Sequence, residues 1–493
     1  MKYVLCVFGL VVMAAALVTT QPPAVTAITG ATLIDGNGGA PVNDSVVLIA
    51  NGRITAAGPR SSTTVPAGAT IIDGNGKFIL PGFVDTNVHL SLYGGIGDRY
   101  ETLAKYHPRQ QEIVLEAAQL QLKHGVTTVR DSYGVLPPLV AVRDRINKGD
   151  AIGPRILAAG NIVGWGGPYS ISFSLIREQG LTLFQEQVND EISQGAGEDL
   201  VDMEPEELRV AVRAYLDKGP DFIKYGGSAH FARPALIGFS PEAQKVLVDE
   251  AHRRGKVAET HSTTIDSLRL SVDAGIDLIQ HPEMLGLREM PDALVKAIVE
   301  RKVICSMLSN TISGDAWKKA MKDRDEAVAK RTEAEKAQKS QRARTGAELR
   351  QRAVEDAVEL QMRRKNAQRL IAAGAVITIG TDNYWAAAPE FMRGGSKPDT
   401  QNHGIGSIIA IEGLVELGMT PAQAIVAATK NGAIASKGLA DFGTIEPGKR
   451  ADVVLLDANP LTEITNLRKL SMVMRDGRVI DRERLPEKRV LSK

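Results

Sequence analysis

Apolar residues in this chain come in two textures that alternate along its length. Short, nearly continuous apolar runs occupy residues 82–89, 127–131, 155–160, 222–225, 256–261, 278–281, 303–308 and 376–382. Between them, segments such as 109–124, 206–218, 241–254 and 263–274 carry apolar positions at helical spacing. Buried runs separated by helical segments of this length predict a parallel sheet with crossover helices. Eight runs are the number that closes a (β/α)8 barrel. The competing arrangement is an open doubly wound sheet, which usually shows a Gly-rich phosphate fingerprint after its first strand. None follows residues 82–89.

The two ends of the chain read differently. Residues 28–80 form short alternating segments with turn dipeptides at Asn51-Gly52 and Asn75-Gly76, and residues 451–456 and 473–480 resume that texture. Neither end holds enough strands for a core of its own, so the two are expected to pair beside the barrel. The expected division is a leader at 1–27, a β-domain shared between 28–80 and 441–493, and a barrel at 81–440. An insertion at about 315–372 interrupts the barrel. Residues 329–348 contain no large apolar side chain, whereas Leu349, Ala353, Val354, Ala357 and Val358 restore an apolar face. This reads as a solvated helical arm leading back into the barrel, or as a lid or dimerisation arm, since it leaves from the C-terminal end of the seventh strand.

Composition adds two constraints. With 59 Lys and Arg against 58 Asp and Glu in 493 residues, nothing points to a nucleic acid or an acidic membrane surface as partner. Met1-Lys2 precedes an apolar stretch at residues 3–18 that is shorter than the roughly 20 residues a membrane span needs. That pattern predicts a signal peptide, export to the periplasm or medium, and no stable membrane anchor after cleavage. Cys6 would leave with it, and Cys305, inside an apolar run, reads as core.

Chemistry collects at the ends of the predicted strands. Lys224, His89, His261, His281 and Asp382 each close a different run. A barrel brings all its C-terminal strand ends into one crater, so this scatter predicts a metal centre. Asn87 and His89 are two apart and share a face. Neutral imidazoles suit Zn²⁺ and other transition metals. Lys224 as an ammonium would repel a cation. It becomes a ligand only as a carbamate formed with CO₂; the alternative is an ammonium paired with Asp382 or a substrate carboxylate. Spacing leaves both open.

The segments that carry this chemistry resemble the amidohydrolase superfamily, in its imidazolonepropionase-like and prolidase-like branch. They are residues 80–89 (LPGFVDTNVH), 125–131 (GVTTVRD), Phe222-Ile223-Lys224, His261, His281-Pro282-Glu283, Gly380-Thr381-Asp382 and 443–452 (GTIEPGKRAD). The resemblance implies a distorted (β/α)8 barrel with a small β-sandwich built from both chain ends. It also implies one or two Zn²⁺ or other divalent ions. By position His89 belongs to the first-strand ligand pair, Lys224 is the carboxylated bridge, and His261 and His281 hold the second ion. Asp382 binds metal and shuttles the proton while metal-bound hydroxide attacks an amide carbonyl.

One residue departs from the pattern, because Asn87 stands where the family has histidine and is a weak or lost ligand. Either the enzyme works with one tight ion or the barrel is a metal-impaired binding protein. Tyr225, His230 and Arg233 follow Lys224, where prolidase-like relatives hold a substrate α-carboxylate. That analogy points to a small-molecule substrate, an X-Pro-like dipeptide or an N-acyl amino acid. His403, with Tyr384 and Trp385, belongs to the eighth loop and is a further substrate-binding candidate. Each of these is equally compatible with loop packing. A cyclic amide or imidazolone hydrolase or deaminase is the alternative with the same chemistry. A homo-oligomer is compatible with all of these. Arg130 and Asp131 are expected to form an ion pair bracing the pocket.

Overall fold

The computed structural model describes residues 24–93, 104–167, 169–173, 181–232, 235–334, 341–385 and 399–492. Strands β1 (Val25–Leu33), β2 (Val42–Ala50) and β3 (Arg53–Pro59) form an antiparallel meander. The turn into β3 is the predicted one: Asn51 and Gly52 have φ of 51° and 76°, as a tight two-residue hairpin turn requires. β4 (Thr70–Asp73) then pairs with the first half of β1, and β5 (Phe78–Pro81) with its second half. The sheet therefore forks, with separate apolar clusters around Ile28, Val47 and Leu455 and around Ala27, Val46 and Leu48.

The barrel strands follow. β6 (Phe83–Tyr93), β7 (Val126–Asp131) and β8 (Arg155–Ala158) are parallel neighbours. A second parallel ladder runs through β9 (Ile162–Val163), β10 (Ile223–Gly226), β11 (Ala258–His261), β12 (Leu278–Gln280), β13 (Ile304–Met307) and β14 (Val376–Ile379). β15 (Asn383–Trp385) returns to pair with β6. The eight predicted runs are thus all strands, but the third and eighth are each broken. Gly160 turns the chain at φ 74° between β8 and β9, and Asp382 at φ 50° between β14 and β15. These two breaks are the distortion of the barrel. The last strands, β16 (Val453–Leu456), β17 (Leu470–Arg475) and β18 (Arg478–Val479), rejoin the first sheet through β16 and β5.

The helices are positioned by local signals. Helix Pro205–Leu216 opens with Pro at its start and a reciprocal cap between Glu204 and Glu207, and buries Leu208, Val212, Tyr215 and Leu216. Ser240 caps helix Pro241–Arg253 through Ala243 N at 3.1 Å. The polar insertion is two helices, Gly314–Ala334 and Gln341–Ala372, packed against each other. Among the described residues no helix is long and apolar enough to cross a membrane; residues 1–23 of the leader expected at 1–27 lie outside them, whereas Val25 to Ala27 already belong to β1, so the β-domain starts earlier than the expected residue 28. Cys305 is buried and free, as its apolar run predicted.

The barrel interior below the crater is polar rather than filled with branched apolar side chains. Arg130 and Glu259 form a buried ion pair at 2.6 Å, with Gln280 donating to Glu259 at 3.0 Å and the Arg130 guanidinium 3.7 Å from the Phe222 ring centre. This corrects the expected Arg130–Asp131 pair. Adjacent strand residues point to opposite faces, so Asp131 instead accepts the Leu90 N–H at 2.6 Å.

Candidate metal centre

His89 lies late in β6, Lys224 in β10 and His261 at the end of β11, while His281 follows β12 directly and Asp382 sits between β14 and β15. Parallel strands put these ends on one face. In β6 the register against β7 slips between Asp85 and Val88. A bulge of this kind re-aims side chains. Thr86 turns inward to meet Ser306 at 2.8 Å and Thr378 at 2.9 Å, while Asn87 and His89 both reach Asp382. Two of the site residues hold left-handed backbone, His281 at φ 38° and Asp382 at φ 50°. Such conformations cost on the order of 1–3 kcal/mol each and concentrate at functional sites.

The hydrogen bonds decide which ring nitrogens are available. His89 Nδ1 lies 3.0 Å from the Tyr133 carbonyl, which only accepts, so Nδ1 carries the proton. The other nitrogen, Nε2, then turns its lone pair toward Asp382 Oδ1 at 3.3 Å. Two acceptors at that distance call for a proton or a cation between them. Similarly, His261 Nε2 donates to the His230 carbonyl at 3.3 Å, which leaves Nδ1 as the free lone pair. The His281 ring meets His261 edge-on at 4.5 Å, and its buried Nδ1 has no hydrogen-bond partner among the described residues. A divalent ion fits this donor set, in which His89 and His261 are each held by a hydrogen bond at one ring nitrogen and turn the other to the site, and His281 brings an unpartnered ring nitrogen. As placed, no three of His, Cys, Asp and Glu among the described residues form a cage by themselves. Closing one takes side-chain rotation or the oxygens that a carbamate on Lys224 would add.

Electrostatics follow burial. Burial drives the His261 pKa far below the imidazole range and pushes His281 down to about 3, so both rings are neutral at pH 7, the form that can bind a cation. Burial also opposes the Asp382 carboxylate, but the His89 contact and the charge of Lys224 outweigh it and hold the pKa well below the usual range. The Lys224 amine is lowered by burial, against the pull of Glu259 and Asp382.

The substrate candidates separate. His230 faces the crater: its ring stacks on Phe173 at 4.4 Å and lies nearly parallel to His261 at 5.7 Å. Tyr225 does not, which corrects the expectation. It is the strand neighbour of inward-facing Lys224 and so points to the helix layer, where its hydroxyl donates to Gln244 at 3.0 Å. Arg233 lies outside the described residues. His403 is buried edge-on against Trp385 at 5.0 Å, and neither ring nitrogen has a partner among the described residues. The third strand-to-helix loop, with Trp165, was readable as a specificity element; what sequence reasoning missed is the hydroxyl of Ser132 and the packing of Tyr133 and Phe173 around Trp165. The signal for Ser132 and Tyr133 was their place just past the end of β7.

A split (β/α)8 barrel with histidines, a lysine and an aspartate converging at its strand ends is the amidohydrolase layout, and the chain belongs to the amidohydrolase family, which it matches over residues 78–480. It is an enzyme, a hydrolase of carbon–nitrogen bonds, in a family whose members typically bind divalent metals. Among its relatives, phenylurea hydrolase B is 33% identical with 95% of this chain and 99% of that one covered, at a TM-score of 0.80. Molinate hydrolase is 31% identical, with 96% and 98% covered and a TM-score of 0.81. Ochratoxinase of Aspergillus niger is 25% identical over 469 residues, 90% of this chain and 84% of that protein.

Proposed function

We propose that the chain is a metal-dependent hydrolase of a small amide-type substrate whose carbonyl or nitrogen carries a flat apolar substituent. The observation that carries this substrate class is the aromatic wall beside His261. The Trp165 ring lies 4.7 Å from it, and His230 and then Phe173 continue the surface outward. An aromatic ring docked there gains stacking worth about 0.5–1.5 kcal/mol beyond area burial. The name of phenylurea hydrolase B, with a phenyl ring on a urea nitrogen, supports the same class. The α-carboxylate reading loses Tyr225, which is turned away from the crater.

The ion would be held by His89, His261, His281, Asp382 and a Lys224 carbamate, and would supply a nucleophile at neutral pH by lowering the pKa of water. Asp382, whose Oδ1 lies 3.3 Å from His89 Nε2, would accept a proton from the attacking water and return it to the leaving nitrogen. Trp165, Tyr133 and Phe173 exclude water from one side of the crater. The test is a turnover screen of Zn²⁺-loaded protein against N-aryl amides and ureas, X-Pro dipeptides and N-acyl amino acids. Preference for the aryl compounds is expected; hydrolysis of the dipeptides alone would overturn the substrate class. Export belongs to the same proposal and rests on residues 1–18. N-terminal sequencing of the mature protein checks it, and an intact Met1 in the mature protein counts against it.

A further inference from the structure

The four polar side chains at the bottom of the crater form a chain whose direction can be read from their chemistry. Lys224 Nζ donates to Ser132 Oγ at 3.4 Å, Ser132 Oγ bonds Asn87 Oδ1, and Asn87 Nδ2 bonds Asp382 Oδ1. A carboxylate only accepts, so the amide face toward Asp382 must be the NH₂. The carbonyl face of Asn87 is then turned to Ser132, and the hydroxyl must donate to it. Both partners are held independently of these bonds. The Ser132 backbone N–H donates to Val88 O at 3.1 Å, and the Asn87 carbonyl accepts Thr381 N at 3.1 Å and Asp382 N at 2.9 Å. Ser132 itself is 0% exposed, so water does not compete for its hydroxyl.

We infer that Ser132 is a positioning residue that fixes Asn87 as a hydrogen-bond donor to Asp382 and keeps its oxygen from serving as a metal ligand. The face of the Asn87 amide turned to Asp382 is its NH₂, which does not ligate a cation, while Oδ1, the only ligating atom of the side chain, points to Ser132. The departure at position 87 is therefore a change of role. Where a histidine would bind an ion, the amide straps the proton-carrying carboxylate in one orientation. This rests on the proposed role of Asp382, but it concerns the chain's own geometry and is tested apart from it.

Ser132→Ala frees the amide to rotate. The expected result is a fall in kcat of about 10- to 100-fold with KM little changed, since orientation at the reacting group is lost, and Zn²⁺ affinity by calorimetry equal to the parent's or tighter, since the freed Oδ1 gains access to the ion. Ser132→Thr keeps the hydroxyl and recovers most of the loss. Asn87→Asp offers a charged oxygen ligand that cannot donate, and is expected to bind Zn²⁺ more tightly while turning over more slowly. If Asn87→Asp keeps full turnover while Ser132→Ala is silent, the inference is wrong. A crystal structure of the parent with Zn²⁺ gives a readout free of activity: Asn87 Oδ1 stays on Ser132, and an Oδ1 found about 2.0–2.2 Å from the ion overturns the inference. A parent that hydrolyses no amide sinks the proposed function, yet the Zn²⁺ structure still decides this one.

Discussion

Gly380 tests the geometry of the crater without touching a reacting group. It joins β14 to Thr381 and Asp382, and a Cβ built there lies 2.1 Å from Ser306 Oγ and 2.9 Å from Asn87 Cβ, where ordinary contact begins at 3.4 Å. Its φ is not in the left-handed region, so alanine meets crowding and not backbone strain. The Ser306 hydroxyl is a chain end and can swing away. Asn87 Cβ cannot, because its backbone is pinned by the Thr381 and Asp382 N–H groups. Gly380→Ala must therefore part β14 from β6 by about half an ångström. Overpacking of this kind costs about 1–3 kcal/mol. A misplacement of about 1 Å at a reacting group costs on the order of 100-fold in rate, so about tenfold in kcat is expected here. The assay is kcat and thermal unfolding of Gly380→Ala beside Gly39→Ala, whose Cβ meets nothing within 4 Å. Wild-type kcat in Gly380→Ala, or equal losses in both variants, would refute the reasoning.

Three further outcomes follow from single contacts. Asp382→Asn should keep bound metal, measured by elemental analysis, while kcat falls by about 10²–10⁴; retained turnover removes Asp382 from proton transfer. Tyr225→Phe loses one buried hydrogen bond to Gln244, worth about 1 kcal/mol, and leaves KM unchanged, so a raised KM would restore Tyr225 to substrate binding. Glu259→Gln strands the buried Arg130 guanidinium, which cannot neutralise itself, at about 3–5 kcal/mol; the double change Arg130→Met with Glu259→Leu should recover most of it in urea unfolding. A single variant as stable as the parent would show that the pair is not buried as described.

The strands were readable because a parallel strand buried on both faces leaves a short apolar run, and β6, β7, β10, β11, β12, β13 and β14 all lie on such runs. The breaks at Gly160 and Asp382 were not readable, since a left-handed residue inside a run leaves its hydrophobic pattern intact. Strand alternation, applied to Lys224 and Tyr225, turns Tyr225 outward, against the family analogy.

By itself the sequence determined the barrel and the side chains His89, Lys224, His261, His281 and Asp382 at its strand ends, because periodicity is a local property, and its motifs carried the resemblance to the family. What only the tertiary structure decided is how those groups face one another. The bulge in β6 that aims Thr86, Asn87 and His89 inward depends on a partner strand some forty residues away. The Ser132 bond to Asn87 and the stacking of Phe173 on His230 join residues that no spacing relates. Hydrogen-bond direction is a property of pairs in space, and so the role of Asn87 became legible only when both of its neighbours were in place.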